Sequence, residues 1–288
     1  MRTIKQIQKA VKVNMGGVIL DQALPVHGID QIDPFLLIHH WYDRLAGGQV
    51  QSEVGVGPHP HRGFSPVTFI FKGGVHHRDS LGTSEVVRAG GTQWMNSGRG
   101  IVHSERPERS LAEDGGEFEI IQFWLNTPSL HKMKEASYQP LSEDATPLIE
   151  DEKKRSKLFL VAGKQKGITG PLKAESEVLI MRGEAKSGAK IEIELEDDFN
   201  ALIYILDGKI QKDNVEADDK TMVEWNQDGS SISFDVLENT RFILLSGAPI
   251  NESLSTYGPF VMNTEDEIRQ AIMDYQSGKM GILREEFE

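Results

Sequence analysis

The apolar positions along this chain come as short runs and alternations between glycine turns, with helical spacing only near the end. Residues 4–13 carry a weak strand pattern that stops at Met15-Gly16-Gly17, and Val18-Ile19-Leu20 reopens an apolar segment that closes at Ala23-Leu24-Pro25. Asp33-Pro34 turns into a buried-strand pattern, Phe35-Leu36-Leu37-Ile38. Val67-Thr68-Phe69-Ile70-Phe71 and Glu85-Val86-Val87-Arg88 have strand content, and Gly73-Gly74 and Ala89-Gly90-Gly91 supply turns. The apolar run within residues 117–125 predicts a buried strand. Short strands spaced by glycine turns predict an antiparallel sandwich or jelly-roll barrel.

The character changes over residues 126–157, which are polar, contain Pro128, Pro140 and Pro147, and end in the charged run Glu150-Asp151-Glu152-Lys153-Lys154-Arg155. This reads as a linker, placing a domain boundary at 140/141. Strand patterns then return. Leu158-Phe159-Leu160-Val161, Val178-Leu179-Ile180-Met181, the alternating Ile191-Glu192-Ile193-Glu194-Leu195 and Ala201–Leu206 follow in series, with Asp207-Gly208 as a hairpin turn. Ile232–Val236 and Phe242–Leu245 complete a second all-β unit. Near the end the period switches: Thr264 with Glu267 forms a capping box, Ile268, Ala271, Ile272 and Tyr275 share a helical face, and Gly278 closes it. That apolar face calls for a β-domain to cover.

Composition narrows the chemistry. With 31 Lys and Arg against 44 Asp and Glu, the net charge is −13, so the chain has no generic attraction for nucleic acid or anionic membrane. It has no cysteine, which excludes disulfides, thiolate metal sites and cysteine nucleophiles. No segment reads as a secretory signal or reaches the roughly 18 apolar residues of a membrane span, so a cytoplasmic location is expected.

Two short pairs carry candidate metal chemistry: His59-Pro60-His61 and His103-Ser104-Glu105. On a strand, alternate side chains share a face, so each pair aims two side chains one way. If the two strands are neighbours, three imidazoles and a carboxylate converge, a donor set that suits Fe, Zn, Cu or Ni. Four such ligands leave two positions of an octahedron open for a substrate oxygen and O2 or water. Other histidines read as structural: His39 and His40 are adjacent and point to opposite sides, and His76 and His77 read as loop hydrogen-bonding residues. Trp94, Met95, Phe64, Phe69 and Trp124 read as core with a share in a pocket wall, and Arg62 and Arg99 flank the ligands, either offsetting or anchoring charge there or forming surface salt bridges. His131 is the last histidine, so the second half offers no such site.

Pro58-His59-Pro60-His61-Arg62-Gly63-Phe64, His77-Arg78-Asp79-Ser80, Gln93-Trp94-Met95 and Gly98–Glu105 resemble the signature of the pirin family, and Tyr257–Thr264 with Tyr275-Gln276-Ser277-Gly278 resembles its C-terminal block. The resemblance implies an all-β bicupin: two jelly-roll (cupin) β-barrels and a short C-terminal helix. It implies a metal-binding domain over residues 1–140 and a degenerate, metal-free cupin domain over residues 141–288, with the helix packing back. It further implies His59, His61, His103 and Glu105 as ligands of Fe(II), with Zn, Ni, Mn and Cu as alternatives. Members of the family resemble quercetin 2,3-dioxygenases, which implies O2 and a flavonol or other enolic, aromatic small molecule as substrates, with Glu105 as ligand and as base for the substrate hydroxyl. The same resemblance implies a second role, a metal-dependent, redox-sensing regulator that binds a transcription factor or metabolic enzyme. The chain departs from the family at Ser65-Pro66, where relatives carry Glu-Thr, which puts the surroundings of the site and the start of that strand in question. It also lacks the acidic residue that relatives carry near the position of His39.

Overall fold

The structure is a computed structural model that describes residues 1–287. Its contacts divide into two compact units, each assembled from two stretches of chain: His40–Glu143 with the chain from Asn251 onward, and Met1–His39 with Asp144–Ile250. The division expected at 140/141 therefore lies near one boundary, but the two ends of the chain do not follow it. At the N-terminus, Ile4–Lys9 pairs antiparallel with Thr221–Trp225 of the same unit. The C-terminal stretch is assigned by packing against the histidine-bearing strands, as described below.

The histidine-bearing unit is built on two antiparallel layers. A four-stranded sheet has the order Val56–His61, Ile101–Pro107, Gly74–Asp79, Ser84–Arg88. Within this unit the larger layer runs Ser137–Leu141, Thr92–Asn96, Phe64–Lys72, Gly116–Asn126 and the part of Phe35–Leu45 from His40 on. Hydrogen bonds from Gln93 and Gln122 of the larger layer reach Glu105 of the smaller one, so the two inner faces enclose a common interior. The other unit repeats the plan, with a seven-stranded sheet and a four-stranded sheet of Lys190–Glu194, Ser231–Val236, Lys209–Lys212 and Val215–Asp218. Its interior is filled by Leu160, Met181, Ile193, Ile203, Val223, Trp225, Phe234 and Phe242, an apolar core in place of polar donors. This is the double cupin-type β-fold expected, and among the described residues no helix is long and apolar enough to cross a membrane.

Residues 126–157 are more than a linker. Ser137–Leu141 is an edge strand hydrogen-bonded to Thr92–Asn96, and Lys132 is only 1% exposed. The Lys132 ammonium donates to Gly63 O at 2.6 Å, Asn126 Oδ1 at 2.7 Å and Val261 O at 3.1 Å, using all three of its protons. Burial pushes its pKa down to about 8, with Glu252 and Glu267 opposing. The clamp holds Gly63 against the C-terminal strand Phe260–Met262. Gly63 has φ +86°, and a Cβ there would lie 2.0 Å from Val261 O, so only glycine fits.

The C-terminal helix Glu265–Gln276 begins with the capping box expected, Thr264 and Glu267 bonding reciprocally. Ile268 and Ala271 bury against Val102, Phe260, Met262 and Met280. Tyr275, expected on that face, is 40% exposed, and Asp274 takes the buried position. The reason is Arg62, which is 4% exposed and does not form a surface salt bridge: its Nη1 lies 2.9 Å from Asp274 Oδ2. Arg99, by contrast, does form an exposed pair, with Glu135 at 3.0 Å. Beyond the helix, Ser80 Oγ donates to Met280 O at 2.9 Å and Arg106 makes a two-point pair with Glu285 at 2.6 and 2.7 Å. The last stretch of chain is thus tied to the outer face of the strands that carry the ligand candidates.

Removing Asp274 leaves Arg62 buried without its carboxylate, so Asp274→Ala should cost about 3 kcal/mol in urea unfolding. The Lys279 hydrogen bond lowers the Asp274 carboxyl most; burial opposes it, Gln270 and Arg62 lower it further, and the net value is about 2. A folded pKa below the unfolded one makes the contribution complete above about pH 4 and lost as pH falls through about 2. The stability gap between wild type and the variant should close over that interval.

Candidate metal centre

The Val56–His61 and Ile101–Pro107 strands are antiparallel neighbours, with His103 opposite His59 and Ile101 opposite His61. Alternation puts His59 and His61 on one face, and cross-strand pairing adds His103 to it. The ring nitrogens of these three residues offer donor atoms that all lie within 4.8 Å of one another. Ring centroids are 4.3 to 4.9 Å apart, with His59 and His103 closest.

Backbone carbonyls fix which nitrogen of two of these rings carries the proton. His59 Nδ1 lies 2.8 Å from Gly57 O and His61 Nδ1 lies 3.2 Å from Pro259 O. A carbonyl can only accept, so both Nδ1 atoms are N–H donors and both Nε2 atoms of the neutral rings carry lone pairs. Those two Nε2 atoms are 3.1 Å apart. Two lone pairs at that distance repel, and a cation bound by both removes the repulsion. His103 Nε2 is buried with no hydrogen-bond partner. Burial holds His61 well below the usual histidine pKa, His59 adds to the effect and the Pro259 carbonyl opposes it. His103 is held well below as well, by burial first and then by His59, His61 and His77. Both are therefore neutral imidazoles, the form that ligates metals. With no cysteine in the chain, this all-imidazole cluster fits a divalent transition ion.

Glu105 follows His103 on the same strand, after a register shift, and lies outside the three-histidine group. Its carboxylate accepts from Gln93 Nε2 and Thr68 Oγ1 (3.3 Å) on one oxygen and from Gln122 Nε2 (2.8 Å) on the other. Two aromatic side chains orient those amides. Tyr138 O–H donates to Gln93 Oε1 at 3.1 Å, and Trp124 Nε1–H, which can only donate, points to Gln122 Oε1 at 3.4 Å. Each glutamine must then present its NH2 to Glu105.

His77 is where the sequence reading missed a neighbour of the site. His76 and His77 lie on the Gly74–Asp79 strand, not in a loop, and point to opposite faces. His76 bonds outward to Ser84 Oγ at 2.9 Å. His77 is fully buried, its Nε2 is 2.9 Å from Asp79 Oδ2, and its Nδ1 is 3.4 Å from His103 Nδ1. It stacks on Tyr138 at 4.1 Å and 12°. Burial raises the Asp79 carboxyl, but His77 and the hydrogen bonds from Thr83 outweigh it and leave its pKa below the ordinary value. The signal available in sequence was the i, i+2 spacing of His77 and Asp79, the same spacing that marked the two pairs.

The remaining candidates sort by face. Phe64 and Trp124 pack on His61, with centroids at 5.0 and 5.6 Å, and form one wall of the interior. Trp94, Met95 and Phe69 are core. His39 bonds to Gln22 at 2.9 Å and His40 to Glu119 at 3.1 Å, both in structural roles. Pro66 sits between Phe64 and Thr68 on the face that looks toward Glu105, whereas Ser65 shares the opposite face with Val67 and Phe69. Pairing with Gly116–Asn126 continues in register through Pro66, so the strand start is not distorted. A cleft of about 1080 Å³ is lined entirely by residues of the other unit, among them Gln165, Glu192 and Asp198, and contains no histidine.

Residues 17–125 match the pattern of the pirin family, and residues 180–281 match that of the pirin C-terminal cupin domain. Pirin-like protein 2 of Arabidopsis thaliana is 32% identical over 287 residues, spanning 96% of this chain and 85% of the relative. A pirin-like protein of Caulobacter vibrioides is 31% identical over 282 residues, spanning 97% of this chain and 99% of the relative. The crystal structure of quercetin 2,3-dioxygenase from Acinetobacter baumannii matches with TM-score 0.93 and 32% identity, covering 99% of this chain and 100% of that one. A bacterial pirin from Escherichia coli, solved in complex with nickel(II), shares the fold at TM-score 0.67 and 19% identity, covering 85% of this chain and 99% of that one. By sequence along its whole length and by fold, the chain belongs to the pirin family.

Proposed function

We propose that the protein is a metal-dependent, ring-cleaving oxygenase of the quercetin 2,3-dioxygenase type that acts with O2 on a flavonol or another enolic substrate. In this reading His59, His61, His103 and Glu105 are the ligands and Fe(II) is the ion. The observation that carries it is the trio of imidazoles, His61 and His103 buried and His59 half-buried, in which the Nε2 atoms of His59 and His61 face each other at 3.1 Å without a proton between them. Whole-chain likeness to a quercetin 2,3-dioxygenase supports the reaction class.

When bound, the ion supplies Lewis acidity toward an enolic hydroxyl and one-electron chemistry toward O2. The chain supplies the rest. Three neutral imidazoles hold the ion without adding charge, and the carbonyls of Gly57 and Pro259 keep two of the rings in the ligating tautomer. Glu105 takes the hydroxyl proton of the substrate, its carboxylate aimed by Gln93, Gln122 and Thr68. Trp124, half-buried beside His61 and Phe64, offers a flat face on which an aromatic ring stacks.

Iron-loaded protein titrated anaerobically with quercetin should bind it and then consume O2 when air is admitted; binding without turnover sinks the reaction. His61→Ala should purify without stoichiometric metal by elemental analysis and take up no O2 with quercetin. Glu105→Gln should lower kcat for the same substrate by about 10²- to 10⁴-fold. Metal content measured on the same sample separates its role as base from its role as ligand.

A further inference from the structure

We propose that Asp79 and His77 are positioning residues that fix the tautomer of His103 through a carboxylate–imidazole–imidazole chain. The inference rests on the reading of the histidine trio as a metal centre. His59 and His61 each have a carbonyl to hold the proton on Nδ1, but His103 has none: its Nδ1 faces another histidine at 3.4 Å. Its tautomer therefore depends on what His77 presents. Asp79 Oδ2 accepts from His77 Nε2 at 2.9 Å, so in the neutral ring the His77 proton sits on Nε2 and Nδ1 carries a lone pair. That lone pair accepts from His103 Nδ1–H, and the lone pair of His103 is left on Nε2. This is the buried nitrogen without a hydrogen-bond partner. All three histidines then carry the proton on Nδ1 and donate to the ion through Nε2.

The geometry around Asp79 makes the chain directional. Its other oxygen, Oδ1, accepts from the backbone N–H groups of Leu81 at 2.9 Å and Thr83 at 3.1 Å. In Asp79→Asn those two donors hold the amide oxygen on their side, so the NH2 group faces His77 Nε2. His77 must then accept at Nε2 and carry its proton on Nδ1. His103 Nδ1 becomes the acceptor, and the His103 proton moves to Nε2, where it blocks ligation. One isosteric change, two residues from the ring it contacts, thus inverts two tautomers in series. The buried stack of His77 on Tyr138 keeps the rings in place while this happens.

The test uses metal-free full-length protein at about pH 8, above the ordinary histidine value of about 6.5. Nitrogen-15 NMR of the imidazoles distinguishes protonated from unprotonated ring nitrogens, with His103 assigned by its loss in His103→Gln. Wild type should show His103 protonated on Nδ1, and Asp79→Asn should show it protonated on Nε2. Ni(II) binding by titration calorimetry should weaken about 10- to 100-fold in the variant. His77→Phe, which keeps a ring against Tyr138 but offers no acceptor, should weaken Ni(II) binding in the same range and give His103 in mixed tautomers; it carries the test if Asp79→Asn does not fold. Wild-type His103 protonated on Nε2, or variants with unchanged tautomer and unchanged Ni(II) affinity, would overturn the proposal while leaving the metal reading intact. Absence of Ni(II) binding by wild type would strike the metal reading instead, and the NMR arm would still decide the tautomer.

Discussion

Two imidazole nitrogens 3.1 Å apart with no proton between them set the terms for the rest of the structure. In water each would turn to a solvent molecule; in a barrel interior they are held by strands and carbonyls, and the repulsion persists until a cation is shared. Much of what surrounds them keeps the arrangement from relaxing. Gly57 and Pro259 hold the two Nδ1 protons. Pro259 comes from the C-terminal stretch, and so the end of the chain belongs to the site.

That dependence explains why the C-terminal residues pack where they do. Lys132 bonds at once to Gly63, two residues past His61, and to Val261, two residues past Pro259. Arg62, between His61 and Gly63, is anchored to Asp274 of the helix. A buried lysine and a buried arginine are costly to desolvate; the lysine is offset here by three acceptors and the arginine by the Arg99 carbonyl and the Asp274 carboxylate. Their common effect is to fix the loop after the second histidine and the carbonyl that orients its ring. The other unit has the same strand plan but fills its interior with Trp225, Phe234 and Phe242.

The interior also separates two polar systems by the side-chain orientation each imposes. Gln93 and Gln122, turned by Tyr138 and Trp124, present only donors to Glu105. Asp79 presents only an acceptor to His77, and through it a chain of single protons to His103. One system orients a carboxylate and the other a lone pair. Tyr138 touches both, stacking on His77 and bonding to Gln93.

The sequence by itself determined the all-β class, the duplication of the plan and the two i, i+2 pairs, because period-2 patterning and glycine turns are local properties. It also determined the helix and its capping box, and the spacing put His59 and His61 on one face before any partner was known. Only the tertiary structure decided which strands are neighbours, and with that His103 joined the pair, while Glu105 follows it past a register shift. It alone turned His77 inward, buried Arg62 against Asp274 and assigned the two chain ends to their units. Each of these is a contact between residues far apart in sequence, and nothing in the local pattern of either partner records the other.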